Sequence, residues 1–197
     1  MAFSLAIREI ASRVSLPTKS FDMSKRYTWE TEFRELFDHC RKKYTDGVTD
    51  LRTYYTETNQ AFLKEIGCQP REFFDFVEDY CDEGIPTPET ALLVAAVRRD
   101  YFSVVQGGNR SEKQLKPETL PARDLELGGF EWLPRILAKA RAKLRGELDP
   151  EIMYCCGGDR AFLFRHDIHP ADFLRAVWAA GEDDQRMLAY LQEAISG

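Results

Sequence analysis

The sequence predicts an all-α protein made of two pseudo-repeated helical units packed together, with one further helix at the N-terminus. Three observations lead to this prediction. Apolar residues recur with the 3.6-residue period of a helix, one stretch of sequence returns in diverged form 100 residues later, and no segment shows the alternation typical of a strand. The predicted divisions are an N-terminal helix and connection (1–28), a first unit (29–105), a linker (106–129) and a second unit (130–197).

The repeat relates positions 33–77 to positions 133–177. Nine of these 45 aligned positions are identical, where chance gives about three for an average composition. The clearest block is Ala61-Phe62-Leu63 against Ala161-Phe162-Leu163. Each unit is small enough that we expect it to depend on the other for stability.

Each predicted helix has an apolar stripe. The N-terminal helix near residues 3–14 is followed by a polar connection over residues 15–28. The first helix of each unit carries apolar residues at i, i+3, i+4, i+7 and i+11. These stripes are Phe3, Ile7, Ile10 and Val14 for the N-terminal helix, Phe33, Leu36, Phe37, Cys40 and Tyr44 for the first unit, and Leu133, Ile136, Leu137, Ala140 and Leu144 for the second.

Start signals place the remaining helices. A short second helix is expected after Thr58 or Asp159, with Asp159 as a good N-cap. The third begins at Pro70 or Pro170, because proline suits the first helical position, where its missing N–H would have had no partner. Thr87 and Pro88 open a fourth helix. The stretch rich in Gly, Pro and charge from residue 106 to 129 indicates a linker.

Composition excludes several classes of function. Hydrophobic residues make up 44% and charged residues 30% of the 197 positions, which is ordinary for a globular protein. A net charge of −6 argues against nucleic acid or an anionic membrane as the main partner. No apolar run is long enough for a membrane span and no signal peptide is recognisable, so we expect a cytoplasmic protein. Five unevenly spaced cysteines suit a reducing compartment better than a disulfide framework.

The second half resembles a known family. The stretch from Leu127 to Leu144 reads LGGFEWLPRILAKARAKL, and the likeness extends over about residues 121–195. It resembles the bacterial family DUF5069, a domain of unknown function, and the first half looks like a diverged copy. The resemblance implies that the family's recurrent polar positions fall on Lys139, Arg141, Lys143, Tyr154, Cys156 and Asp159. This chain departs from the family at Gly157-Gly158, where the family has Pro-Leu. The family name confers no activity.

The segment Tyr154-Cys155-Cys156-Gly157-Gly158-Asp159 carries the most chemistry. A cysteine just before a helix is a candidate nucleophile or redox thiol, because the helix N-terminus favours the thiolate. Cys156, and less strongly Cys155, are the candidate catalytic residues, and His166 is a local candidate for an assisting base. The competing interpretation is that these cysteines are small buried hydrophobic residues.

A metal centre is disfavoured by the ligand spacing. Cys155, Cys156, His166 and His169 offer suitable atoms, but adjacent cysteines seldom both reach one tetrahedral ion. We therefore assign no metal ligands, and the sequence identifies no cofactor.

Basic residues and a tyrosine recur in both units: Arg41/Arg141, Lys43/Lys143 and Tyr54/Tyr154. Arg141, Lys143 and Tyr154, with Asp159 and His166, form a candidate binding site, the first three for an anionic group. The alternative is that the basic side chains lie along the edge of the core with their charges in water. Phe76 follows Phe73 and Phe74 too closely to share one core face with them, so we expect it to contact the other unit or a partner.

The favoured function is a module that binds a small ligand or a protein partner, because no complete catalytic set is present. The alternative is a cysteine-dependent enzyme or redox protein using Cys156 or Cys155. The sequence does not establish whether the protein is an enzyme, what it binds or how it oligomerises.

Overall fold

The computed structural model describes residues 23–196, with side-chain environments for residues 28–195. The helix predicted near residues 3–14 lies outside this range. From Phe33 onward the chain forms one compact unit, and all contacts reported below lie within it. The elements are α1 (Met23–Thr45), α2 (Leu51–Tyr54), α3 (Glu57–Glu65), α4 (Pro70–Glu83), α5 (Pro88–Val104), a 3-10 turn (Pro117–Thr119), β1 (Glu126–Leu127), β2 (Phe130–Glu131), α6 (Leu133–Arg145), α7 (Gly157–Arg165), α8 (Pro170–Ala180) and α9 (Asp184–Ser196). The predicted all-α class is confirmed.

The predicted proline starts are present. Helices α4 and α8 begin at Pro70 and Pro170, and Thr87 caps α5 by accepting a hydrogen bond from the Thr90 amide at 3.2 Å. Helix α3 begins at residue 57, two residues earlier than predicted, and α7 begins at residue 157, three residues earlier. In α3 the reason is a reciprocal capping box between Thr56 and Asn59.

Two further boundaries differ from prediction. Helix α1 begins at Met23, so residues 23–28 of the predicted connection are helical. Asp159 is not the N-cap of α7: Cys156 holds that position and Asp159 lies in the first turn.

A short antiparallel hairpin corrects the prediction that the chain contains no strand. Leu127 pairs with Phe130 across Gly128-Gly129. Both glycines have positive φ, 60° and 83°, as a two-residue hairpin turn with left-handed central residues requires. The Gly-Gly pair was the available signal, but two-residue strands are too short to show alternation.

Helices α5 and α8 lie at the centre of the packing. Helix α5 packs on α4, α6 and α8, and α8 also packs on α6, α7 and α9. The aromatic core of the first half brings Phe33 and Phe73 to 5.0 Å between ring centroids. As expected, Phe76 contacts the second half: the Lys143 ammonium lies 5.4 Å above its ring.

The bounds of several helices follow the 100-residue offset. Helices α1 and α6 end at Thr45 and Arg145, and α3 and α7 end at Glu65 and Arg165. Common descent of the two halves stays an interpretation. Within the described residues, no helix has both the length and the hydropathy needed to cross a bilayer.

Candidate functional site

The Tyr154–Asp159 loop consists of the end of the connection between α6 and α7 and the first turn of α7, and it is organised around a buried carboxylate. Asp159 is fully buried and accepts from three groups. Its Oδ1 accepts from the Trp132 indole N–H at 2.9 Å, and its Oδ2 accepts from the Cys155 amide at 2.9 Å and lies 2.5 Å from Lys139 Nζ. A buried carboxylate is tolerated when it is paired and hydrogen-bonded in this way.

Lys139 connects this carboxylate to the thiol of Cys156. Its side chain is 4% exposed, and its ammonium also donates to Cys156 Sγ at 3.1 Å. Cys156 is partly exposed and precedes the first residue of α7. A part-exposed sulfur therefore lies against a buried cation at a helix N-terminus, an environment in which thiols are frequently reactive.

Cys155 has a different environment from its neighbour. Its side chain is fully buried, and burial raises the pKa of its thiol to about 12. Its backbone is in the left-handed region, with φ of 72°, which directs its amide to Asp159. Of the two cysteines singled out from the sequence, Cys156 alone is exposed enough for a reagent to reach.

Trp132 completes the environment of Asp159 and was missed from the sequence. It also has a left-handed backbone, with φ of 73°, and its indole lies over the start of α7. A Cβ added to Gly158 would lie 2.4 Å from Trp132 Cζ2, so the ring packs directly on that glycine. Strained backbone of this kind persists where surrounding contacts hold it, and it is common at functional sites.

Tyr154 is packed away and its hydroxyl is satisfied. It donates to the Pro170 carbonyl at 2.7 Å, and burial raises the pKa of the phenol well above 10. In the first half, Tyr55 makes the corresponding bond to the Pro70 carbonyl, while Tyr54 donates to the Cys40 carbonyl. The sequence match of Tyr54 with Tyr154 therefore joins residues with different hydrogen-bond partners.

Arg141 and Lys143 do not converge on the loop. Arg141 donates to the Gly181 carbonyl at 2.9 Å and to Asp184 at 2.7 Å, beside a small cavity of about 230 Å³. Lys143 is almost fully buried and pairs with Glu72 of α4 at 3.1 Å. The fold does not bring Arg141, Lys143 and Tyr154 together around one anion, contrary to what the sequence predicted. Lys139 is the basic residue of α6 that reaches the loop.

His166 lies at the opposite end of α7 from Cys156. Its ring stacks edge-on against Phe162 and Phe130, with centroids at 4.8 and 5.4 Å. Burial and nearby Arg165 lower its pKa. This placement does not supply the base that the sequence suggested for Cys156.

A larger cavity opens beside the loop, between α7, α8 and the turn joining α4 to α5. This groove has a volume of about 690 Å³, and Cys155 and Gly157 line one end of it. Its lining includes the buried residues Pro86, Leu163 and Ile168, and the exposed side chains of Ile85 (48%) and Phe164 (89%). The volume falls within the range of small-molecule sites.

Polar contacts hold the walls of the groove in place. Arg160 of α7 pairs with Asp79 and Glu83 of α4, each at 2.5 Å. His169 accepts the Ala171 amide on Nδ1 at 3.1 Å, which leaves Nε2 to face Thr90 Oγ1 at 3.4 Å. The groove is therefore bounded by residues of both halves, joined by ion pairs and hydrogen bonds.

Among the described residues, no cluster of three or more His, Cys, Asp or Glu side chains is arranged to hold an ion. The described residues provide two features for chemistry or binding. One is the Cys156 thiol in contact with the Lys139 ammonium, and the other is an apolar groove with charged residues on its walls.

Comparison with known proteins agrees with the resemblance of the second half. Residues 118–196 match the model of the family described as a domain of unknown function, DUF5069. The search of curated proteins and the search of solved structures each returned no match.

Proposed function

We propose that the chain, whose residues 118–196 match the DUF5069 family model, is a binding module whose ligand, a small molecule with an apolar body, occupies the groove between α7, α8 and the α4–α5 turn. The observation that carries the proposal is the groove itself. It combines a volume of about 690 Å³ with a buried apolar floor and two exposed apolar side chains on its walls.

The contacts between the walls of the groove support the proposal that the groove is formed before a ligand binds. The ion pairs of Arg160 fix α7 against α4, and the Arg160 guanidinium also donates to the Cys155 carbonyl at 2.8 Å. A site held open by packing and paired charges avoids part of the ordering cost of binding. Exposed Phe164 and Ile85 gain the most from a ligand, because covering apolar area contributes roughly 25 cal/mol per Å².

Calorimetry with a neutral apolar probe, 4-phenylbutanol, tests this function. Ala161 is exposed on α7 and lines the groove, so Ala161→Trp fills the groove without replacing a core residue. Arg165→Trp adds the same ring at an exposed position of the same helix outside the lining. We expect Ala161→Trp to weaken binding at least tenfold and Arg165→Trp to leave it unchanged. Equal affinities in both variants, or no binding to the wild type, would overturn the proposal.

A second function, thiol chemistry at Cys156, is favoured by one observation. The Lys139 ammonium donates to Cys156 Sγ at 3.1 Å, and Lys139 is itself anchored by Asp159. An ammonium within hydrogen-bond distance of a part-exposed thiol is a feature of nucleophilic and redox cysteine sites.

Alkylation with iodoacetamide tests the thiol function. The Cys156 sulfur attacks the iodomethyl carbon, an S–C bond forms, and iodide leaves. We expect native protein to react at Cys156 at least tenfold faster than at buried Cys155, and Lys139→Met to slow the Cys156 reaction severalfold. Arg135→Met, on the same helix, removes a charge that lies over the Trp132 ring and serves as control. A rate that Lys139→Met does not change would remove the case for thiol chemistry.

A further inference from the structure

The groove carries an uneven distribution of charge on its walls. Its lining includes three carboxylates, Glu83, Asp167 and Asp172, against the guanidinium of Arg160. Arg160 is already engaged by Asp79 as well as Glu83, so two carboxylates share its charge. The electrostatic surroundings of the groove are therefore acidic.

Asp167 is the carboxylate best placed to meet a ligand. It is exposed and follows α7 in the left-handed region, with φ of 52°. Among the residues that the structure describes, its side chain has no ion-pair partner. Asp172, in contrast, pairs with Arg175 at 2.7 Å.

Phe164 lies close to Asp167 along the chain and shares the groove wall with it. The Asp167 amide donates to the Phe164 carbonyl at 3.1 Å, which ties the two residues into one turn. The Phe164 side chain is 89% exposed. An aromatic face and a carboxylate in one turn both attract a cation, the first through its ring quadrupole and the second by charge.

We infer that the groove binds an organic cation, with its apolar body over Leu163 and Ile168 and its ammonium at Asp167 and Phe164. This inference rests on the proposed binding function and names the class of ligand. Anionic ligands are disfavoured, because they would face the carboxylates of the walls. Glu83 and Asp172 are already paired with Arg160 and Arg175, so Asp167 is the lining carboxylate that distinguishes ligands by charge.

Three probes with the same phenylbutyl body test the inference: 4-phenylbutylamine, 4-phenylbutanol and 4-phenylbutyrate, which are cationic, neutral and anionic at pH 7. We expect the amine to bind at least fivefold more tightly than the alcohol and the acid to bind most weakly. Asp167→Asn should bring the amine to the affinity of the alcohol, and added salt should reduce its advantage. Asp46→Asn removes an exposed carboxylate that pairs with Lys42 away from the groove, and should preserve the order.

The binding results distinguish failure of the charge preference from failure of the groove as a ligand site. If the alcohol binds and Ala161→Trp blocks it, but the amine and the acid bind equally well, the groove is a ligand site and the charge inference is wrong. An amine preference that survives Asp167→Asn would also overturn the role of Asp167. If none of the three probes binds, the proposed function fails with it.

Discussion

Lys139 Nζ lies 2.5 Å from Asp159 Oδ2, and both side chains are withdrawn from solvent. The pair connects α6 to the first turn of α7, and through Cys156 and Trp132 it fixes the loop between them. Removing one member of a buried pair is costly because it leaves the other charge without a partner.

We predict that Asp159→Asn lowers the free energy of unfolding by about 3–5 kcal/mol. The carboxamide oxygen can accept from Trp132, but the NH2 group then replaces Oδ2 and faces both the Lys139 ammonium and the Cys155 amide, which are donors. Urea denaturation measures the effect. Asp46→Asn, which breaks the exposed Lys42–Asp46 pair, should cost less than about 1 kcal/mol. Similar losses in the free energy of unfolding would show that the buried pair stabilises the fold no more than the exposed one does.

The contact between Trp132 and Gly158 gives a matched pair of glycine variants. Gly158→Ala places a methyl group 2.4 Å from the indole and should destabilise the protein by about 1–3 kcal/mol through overpacking. Gly157→Ala meets nothing closer than Arg160 Nη2 at 3.8 Å, so the higher helix propensity of alanine should leave stability unchanged or raised by up to about 1 kcal/mol. Thermal unfolding of both variants is the test, and the reverse order would show that the ring does not rest on Gly158.

Asp75 makes stability depend on pH. Burial raises the pKa of its carboxyl to about 7, although Arg71 opposes the shift. The unfolded carboxyl titrates near 3.8, so between pH 4 and 7 the folded state holds more protons and stability falls as pH rises. Above pH 7 this contribution is constant. We expect Asp75→Asn to reduce the fall in the free energy of unfolding between pH 5 and 8 by about 1 kcal/mol or more, since one pKa unit corresponds to about 1.4 kcal/mol. An unchanged slope in urea titrations across this range would contradict the assignment.

The hydroxyls of Tyr154 and Tyr55 bond equivalent proline carbonyls, at the starts of α8 and α4. Tyr154→Phe and Tyr55→Phe should each destabilise by about 1 kcal/mol, because each leaves a part-buried carbonyl without this donor. Tyr190→Phe, on α9 and less buried, is the control. If chemical denaturation gives both variants the same free energy of unfolding as the control, these hydrogen bonds make no net contribution to stability.

The fold was largely predictable because its signals are local. Pro70, Pro170 and Pro88 set helix starts through the geometry of the proline ring, and the stripe containing Leu133 and Ile136 identified the buried face of α6. The hairpin at Gly128-Gly129 has too few residues to show a period. The start of α3 differs from the predicted one because the capping box of Thr56 and Asn59 begins the helix two residues earlier.

The site was less predictable because it depends on contacts between elements. The sequence identifies Cys156 and Asp159, but the residues that bind them are Lys139 in α6 and Trp132, which precedes the first residue of that helix. Lys139 had been marked only by the family resemblance. The groove has no sequence signature, because its walls combine the α4–α5 turn with α7 and α8.

An NMR titration of isotope-labelled protein with 4-phenylbutanol shows whether the groove is the ligand site. We expect the largest amide shift changes in the α4–α5 turn around Ile85 and in the segment from Gly157 to Asp172, and we expect them to saturate together. Changes centred on Arg141 and Trp178, which line the smaller cavity, or no saturable change, would show that the ligand does not occupy the groove.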